Sequence, residues 1–204
     1  MIDPYKITVF ERSDAELQEF LIFCIMVAGK TAKTIAKTCD NFLNGAEEYF
    51  PYEYPFQKIG YMILKNTLLE NMKRARTGKY GLLTKSFHYL LTNPLDLRSC
   101  SVQDLEQIPG VGRKTARFFL VHSRLNQKLA VLDTHVVKWL NHIGHDQTEL
   151  FPKNYLELEQ IFIKEAEMRD MTVADLDLKI WSRFSSRNQL NIIIPFPNKK
   201  LYGG

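Results

Sequence analysis

Residues 108–135 read IPGVGRKTARFFLVHSRLNQKLAVLDTH and carry more structural information than any other part of the chain. They contain a Pro-Gly-x-Gly turn, a lysine just inside an apolar helix, Lys114, and an aspartate further along, Asp133. Gly110 and Gly112 leave backbone N–H groups uncovered ahead of a helix N-terminus, whose partial positive charge attracts an anion. The stretch therefore predicts a turn that binds phosphate.

Two side chains near this turn could react with or stabilise a sugar: one is an amine and the other is a carboxylate. The Lys114 amine becomes a nucleophile when it is desolvated or placed near other cations such as Arg113. The Asp133 carboxylate stabilises positive charge that develops on a sugar ring. We therefore expect burial and cationic neighbours to lower the pKa of Lys114.

The turn has two other interpretations. A nucleotide-binding P-loop ends in Gly-Lys-Ser/Thr, whereas here Arg113 separates Gly112 from Lys114, which argues against that motif. A non-catalytic helix-hairpin-helix clamps the DNA backbone and requires neither the lysine at 114 nor the Asp-Thr-His that follows. That second interpretation stays open.

The motifs IPGVGRKTA (108–116) and LDTH (132–135) resemble those of the helix-hairpin-helix DNA glycosylases of the endonuclease III and 8-oxoguanine types. Residues 16–37 resemble the first barrel helices of that family, and residues 176–185 resemble a late helix of its endonuclease III branch. The resemblance implies an all-α, two-lobed fold with a central helical barrel and an active-site cleft between the lobes.

The same resemblance implies a single glycosylase domain over residues 1–204. One lobe is expected to be the barrel, residues 17–131, which includes the hairpin at 102–125. The other lobe is expected to combine residues 1–16 with residues 132–204. Lys114 is then predicted on one lip of the cleft and Asp133 on the other.

By resemblance, the chain is a DNA glycosylase with associated AP lyase activity in base excision repair. Lys114 is the residue expected to attack C1′ of a flipped nucleotide, and Asp133 the residue expected to assist. Contacts to DNA are expected from the hairpin and from a basic region before it: Gly110, Val111, Gly112, Arg113, Thr115, Lys30, Arg74 and Arg76. Trp181 and Phe184 are candidates for stacking on the flipped base, although their helical spacing equally suits core residues.

The predicted substrate is an oxidised purine, with 8-oxoguanine as the first choice. Two departures from related enzymes bear on the lesion pocket: the wedge position reads Ala28-Gly29-Lys30, and the C-terminus lacks the terminal lysine of one compact oxoguanine group. The alternatives are an oxidised pyrimidine, a bulky modified cytosine in foreign DNA, and a DNA-binding damage sensor without catalysis.

Composition agrees with a DNA-binding domain but does not establish one. The chain has 204 residues, of which 45% are hydrophobic, and a net charge of +4 with a pI near 8.9. A basic protein favours an anionic partner, because neutralised phosphates supply much of the affinity for DNA. We expect a monomer that binds double-stranded DNA containing a modified base or an abasic site. With neither a signal nor a transmembrane segment apparent, it is expected in the cytoplasm with the DNA.

The cysteines Cys24, Cys39 and Cys100 do not have the spacing of a disulfide framework or a zinc site. The endonuclease III branch carries a four-cysteine iron–sulfur loop after its last barrel helix, and the corresponding stretch here contains no cysteine. We therefore expect no iron–sulfur cluster and no catalytic metal. The resemblance allows a structural monovalent cation held by carbonyl groups of the hairpin.

Local signals predict the helix boundaries. Ser13 with Glu16, and Ser101 with Asp104, have the spacing of capping boxes at helix starts. The second hairpin helix is predicted over 115–125. Gly112 is predicted to need a positive φ angle, so that a side chain there would strain the turn.

Overall fold

The structure is a computed structural model, and it describes residues 1–45, 52–145 and 154–185, with side chains up to residue 183. These residues form helices and loops and no β-strand, which confirms the predicted all-α class. The helices are α1 Asp14–Val27, α2 Ala32–Asn44, α3 Pro55–Leu64, α4 Leu68–Arg74, α5 Tyr80–Thr92, α6 Val102–Glu106, α7 Arg113–Ser123, α8 Thr134–His142, α9 Tyr155–Met168 and α10 Val173–Ser185. None of them is long and apolar enough to cross a bilayer.

The chain divides into two compact units, residues 1–124 and 125–204. In the first unit, α1 is the central helix and packs against α2, α3 and α7. It is apolar on every side, with each residue from Phe20 to Met26 buried, as expected for a helix surrounded by others. Phe20 stacks on Phe119 of α7 with ring centroids 5.6 Å apart. The packing of α7 on α1 holds the predicted hairpin against the core.

Both predicted capping boxes are present. The Ser13 hydroxyl accepts the backbone N–H of Glu16, and the Glu16 carboxylate accepts the backbone N–H of Ser13 at 2.8 Å. Ser101 and Asp104 make the same reciprocal pair at the start of α6. These bonds satisfy N–H groups that have no partner within the helix.

The N-terminal segment before α1 belongs to the first unit. Arg12, 5% exposed, donates to the carbonyls of Ile7 (2.6 Å), Val9 (2.7 Å) and His122 (2.8 Å). Its guanidinium lies 3.9 Å from the centre of the Phe20 ring. Burial lowers the pKa of Arg12. One buried guanidinium therefore ties the segment to the end of α7.

The second unit contains α8, α9 and α10, and α10 packs against both of the others. Its core contains Trp139, which is fully buried and meets the Phe162 ring edge-on at 5.9 Å between centroids. The guanidinium of Arg169 lies 5.1 Å from the Trp139 ring.

The unit boundaries differ from the predicted lobes. Residues 1–16 were predicted with the C-terminal lobe, whereas the contacts of Arg12 place them with residues 17–124. The cleft predicted between the lobes stays a prediction. The expectations for the tail after Ser185 lie outside the described residues.

Candidate active site

The turn between α6 and α7 is closed by one hydrogen bond. The N–H of Val111 donates to the carbonyl of Ile108 at 2.9 Å, and Pro109 and Gly110 occupy the two central positions. Gly110 has φ +86°. A proline followed by a residue of positive φ defines a type II turn, which favours glycine at the second central position. Ile108-Pro109-Gly110-Val111 is therefore a type II turn specified by its own sequence.

Two details of the predicted phosphate clamp need correction. The positive φ angle was predicted at Gly112, but Gly112 is extended, with φ −101°, and a Cβ atom there would meet nothing within 4 Å. The residue that needs to be glycine is Gly110, because an added Cβ would lie 2.9 Å from Leu82 and the backbone is left-handed. The N–H of Val111 closes the turn, so it is engaged within the hairpin and does not point to a phosphate.

Helix α7 begins at Arg113, two residues before the predicted start, because Gly112 serves as its N-cap. A glycine cap supplies no side-chain acceptor for the first N–H groups of the helix. These groups carry the positive end of the helix dipole, which is the arrangement that binds a phosphate. Gly112 is exposed, so a DNA backbone has access to this end of the helix.

Side chains of the first unit hold the hairpin rigidly. Arg117 of α7, which is buried, forms an ion pair with Glu106 at 3.1 Å. The hydroxyl of Ser86 on α5 lies 2.5 Å from the carbonyl oxygen of Pro109. Thr115, expected as a DNA contact, is 8% exposed, so its side chain faces the interior and only its backbone is placed for such a contact.

Lys114 is the second residue of α7 and its side chain is exposed, as is that of Arg113. The predicted burial of Lys114 is therefore wrong for the chain without DNA. The start of a helix is amphipathic, and Thr115 and Ala116 occupy its buried side.

The basic region before the hairpin is built around two lysines. The ammonium of Lys30 donates to the carbonyl of Thr77 at 2.5 Å, and that of Lys79 donates to the carbonyl of Ala28. Desolvation and the nearby charge of Lys79 lower the pKa of Lys30. Arg76 and Lys79 both have positive φ angles. These bonds join the loop after α1 to the loop between α4 and α5, a link that no local sequence pattern predicted.

Arg74 and Arg76 are both exposed, as the predicted contacts to DNA require. The guanidinium of Arg74 donates to the amide oxygen of Asn71 at 2.5 Å, so it is held in one orientation at the end of α4. The assignment of these residues to DNA stays a prediction.

Asp133 lies in the second unit as the N-cap of α8. One carboxylate oxygen accepts the backbone N–H groups of His135 at 2.8 Å and Val136 at 2.9 Å. A catalytic role was predicted for Asp133 and this capping role was missed, although an aspartate directly before an amphipathic helix is a standard signal for it. The two roles are compatible, because the cap bonds fix the orientation of the carboxylate.

Trp181 and Phe184, the candidates for stacking on a flipped base, both belong to α10. Trp181 is half-buried on α10, and its role in a base pocket stays a prediction, while the side chain of Phe184 lies outside the described part.

Cys24, Cys39 and Cys100 are buried free thiols. No group of three or more metal-ligating side chains occurs within residues 1–45, 52–145 and 154–183. The hairpin cation stays a prediction.

An all-α chain with a glycine hairpin between two short helices has the architecture of a helix-hairpin-helix DNA glycosylase. The sequence profile described as 8-oxoguanine DNA glycosylase matches residues 1–171, and the chain belongs to this family. The match confirms the predicted glycosylase family and, with it, an oxidised purine as the substrate class.

Individual relatives agree with this assignment. The chain is 26% identical over 192 residues to the 8-oxoguanine DNA glycosylase/AP lyase of Thermoplasma volcanium, covering 88% of this chain and 85% of the relative. It is 34% identical over 77 residues to the protein of the same name from Metallosphaera sedula, and that match spans 38% of each chain.

A solved structure has a similar fold. The 8-oxoguanine glycosylase/lyase of Methanocaldococcus jannaschii, crystallised with a 15mer DNA containing 8-oxoguanine, aligns with a TM-score of 0.61 and 21% identity. The alignment covers 89% of this chain and 87% of that chain. It confirms the predicted helix-hairpin-helix fold.

Proposed function

We propose that this chain excises 8-oxoguanine from duplex DNA and then cleaves the strand at the resulting site through a Schiff base on Lys114. The observation that carries the proposal is the position of Lys114: an exposed amine at the second residue of a helix whose glycine N-cap is open to a DNA backbone. A phosphate bound at that N-terminus brings the adjoining sugar to the amine.

The chemistry follows from the two predicted residues. The neutral Lys114 amine attacks C1′, and the bond from C1′ to the base breaks, with its electron pair leaving on the base. The C1′–O4′ bond then breaks as a proton passes from the lysine nitrogen to O4′, which opens the ring to an imine. Water takes up a proton from C2′, and the C3′–O bond breaks to expel the 3′ phosphate. Positive charge develops on the sugar as the base departs, and the Asp133 carboxylate stabilises it.

Because Lys114 is exposed, we propose that bound DNA removes water from around its amine. The Lys114 amine becomes a better nucleophile when the flipped nucleotide displaces water and provides an apolar surrounding. Flipping costs a few kcal/mol and is least costly for a damaged or mispaired base. Chemistry is thereby coupled to lesion recognition. The enzyme is proposed to work in the cytoplasm, where it is located with the DNA.

The test is Lys114→Gln, with Lys164→Gln as a matched control on the exposed side of α9. Incubation with an abasic or 8-oxoguanine duplex and borohydride should trap a covalent adduct with the parent and the control, and none with Lys114→Gln. Near-normal cleavage by Lys114→Gln would refute the Schiff base. A complete absence of adduct with the parent protein would favour the damage-sensor alternative.

The substrate is tested with a panel of duplexes, each containing one modified base. Strand cleavage is scored with and without alkali. We expect 8-oxoguanine to be released fastest; faster release of an oxidised pyrimidine or a bulky modified cytosine would overturn this choice. Cleavage that appears only after alkali would show that the lyase step is absent.

A further inference from the structure

Residues 130–132, which lead directly into the N-cap Asp133, form an irregular segment buried in the second unit. Ala130, Val131 and Leu132 are at most 6% exposed. Peptide groups buried outside a helix or sheet need hydrogen-bond partners, because an unsatisfied buried group is costly. The segment therefore depends on other elements for its partners.

Helix α9 supplies these partners from two side chains one turn apart. The carboxylate of Glu159 accepts the N–H of Ala130 at 2.8 Å. The hydroxyl of Tyr155 donates to the carbonyl of Ala130 at 2.9 Å and accepts the N–H of Leu132 at 3.3 Å. Both peptide positions flanking Val131 are thus fixed from the same helix.

The polarity of this contact calls for an explanation. Glu159 is 3% exposed and Tyr155 is 6% exposed. Burying a carboxylate is unfavourable unless it is well paired, and Glu159 is paired with a buried peptide N–H that would otherwise be unsatisfied. What the polar pair adds is a defined position for the backbone immediately before Asp133.

Asp133 is held from its other side as well. Its N–H donates to the carbonyl of Val131 at 2.9 Å, and its carboxylate accepts the first N–H groups of α8. A shift of the segment would therefore move Asp133 together with the start of α8, which it caps. Rates of chemistry are sensitive to such shifts, since a misplacement of about 1 Å costs about a hundredfold.

We propose that Tyr155 and Glu159 are positioning residues that set the Asp133 carboxylate for catalysis through the backbone of residues 130–132. The proposal rests on the function assigned to Asp133 above. It gives α9, which carries none of the predicted catalytic residues, a defined part in the reaction.

The primary test is Tyr155→Phe, which removes the hydroxyl and keeps the ring. Base excision is measured under single-turnover conditions, and affinity is measured on a duplex with a non-cleavable lesion. We expect the rate to fall about tenfold to a hundredfold, while affinity changes much less. Ile163→Val, a mild truncation of another buried residue on α9, is the control and should keep the parental rate.

A double mutant separates positioning from general stability. In an Asp133→Asn background the positioned charge is already absent, so Tyr155→Phe should slow excision little further. If Tyr155→Phe costs the same factor in both backgrounds, it acts independently of Asp133 and the proposal is wrong. Such non-additivity is the mark of residues that act as a unit.

A second pair of variants decides the question if Tyr155→Phe does not fold. Glu159→Gln keeps an oxygen that accepts the Ala130 N–H and should retain most of the rate, whereas Glu159→Leu should be slow at unchanged affinity. Equal rates for the two would contradict the proposal. If Asp133→Asn itself is as fast as the parent, the proposed function of Asp133 fails; if only Asp133→Asn is slow, the inference about α9 fails alone.

Discussion

The structure shows one role for Asp133, and we propose a second. Its carboxylate caps α8 through two backbone hydrogen bonds, and it is the charge proposed to stabilise the sugar cation. The cap needs an oxygen acceptor, whereas the electrostatic role needs a negative charge. Asparagine and alanine therefore separate the roles, because asparagine keeps the acceptor and alanine keeps neither.

We expect Asp133→Asn to lower single-turnover base excision by about a hundredfold or more, because charge stabilisation in the transition state is lost. Affinity for a non-cleavable lesion duplex should fall much less. Asp133→Ala should be equally slow and also less stable by about 0.5–2 kcal/mol, the usual cost of a lost N-cap. Urea unfolding measures that difference. An affinity loss as large as the rate loss would make Asp133 a structural residue only.

At the level of elements, the hairpin shows why its two glycines are not equivalent. Gly110 lies in the left-handed position of a type II turn, where an added Cβ would lie 2.9 Å from Leu82, while Gly112 is extended and open on its Cβ side. Folding therefore constrains Gly110. Close approach of a phosphate, if the proposed clamp is correct, constrains Gly112.

We expect Gly110→Ala to lower the stability of the protein by about 1–2 kcal/mol, the cost of a left-handed backbone with a side chain. Gly112→Ala should lose at most about 1 kcal/mol of stability, because alanine is a poorer N-cap than glycine. It should bind duplex more weakly, whether or not the duplex contains a lesion, because contacts to the backbone carry no sequence information. Binding over a salt series, with circular dichroism as the folding control, provides the measurement. Parental affinity of folded Gly112→Ala would argue against the clamp.

The capping box of α1 makes stability depend on pH. The backbone N–H and the hydroxyl of Ser13 bind the Glu16 carboxylate and hold the pKa of Glu16 below its ordinary value of 4.5. A carboxyl with a lowered pKa stabilises the fold above its ordinary pKa, and this contribution disappears as pH falls through the pKa of the folded state.

We expect Glu16→Gln, which imitates the protonated carboxyl, to reduce stability at pH 7 by about 0.3–1 kcal/mol. The difference from the parent should shrink below about pH 4.5. Urea midpoints measured at pH 7 and at pH 3 test this, with exposed Glu11→Gln as the control. A difference that persists unchanged at pH 3 would show that the charge is not the cause.

At the level of the whole molecule, Arg12 decides where the N-terminal segment belongs. It binds a carbonyl that is 110 residues away in sequence, at the end of α7. The hydrogen bonds from Arg12 to the carbonyls of Ile7 and His122 are buried, so bulk water cannot replace the guanidinium at these two acceptors. The N-terminal segment is therefore part of the first unit, because Arg12 attaches it to the end of α7.

We expect Arg12→Met to destabilise the protein by several kcal/mol, since each buried acceptor left unsatisfied costs about 1–3 kcal/mol. Amide exchange should accelerate at Val9, whose N–H donates to His122. Lys128→Met is the control, because it removes an exposed ion pair with Glu167 and should cost at most about 1 kcal/mol. Equal unfolding midpoints for Arg12→Met and the parent would contradict the anchoring role.

The amino-acid sequence by itself determined the features whose physics is local. The capping boxes at Ser13 and Ser101 act over three residues, and the helical class follows from apolar periodicity. The hairpin motif, together with the Asp-Thr-His segment, was enough to predict the family. Even the type II turn at Gly110 was encoded by its Pro-Gly pair, although the positive φ angle was predicted at Gly112 instead.

Only the tertiary structure decided what depends on residues distant in sequence. It placed the N-terminal segment with α7 through Arg12, and it joined Glu159 and Tyr155 to the peptides before Asp133. It also left Lys114 exposed, against expectation. The physical reason is that burial and long-range hydrogen bonds are properties of packed surfaces, and no local sequence pattern specifies which surfaces will meet.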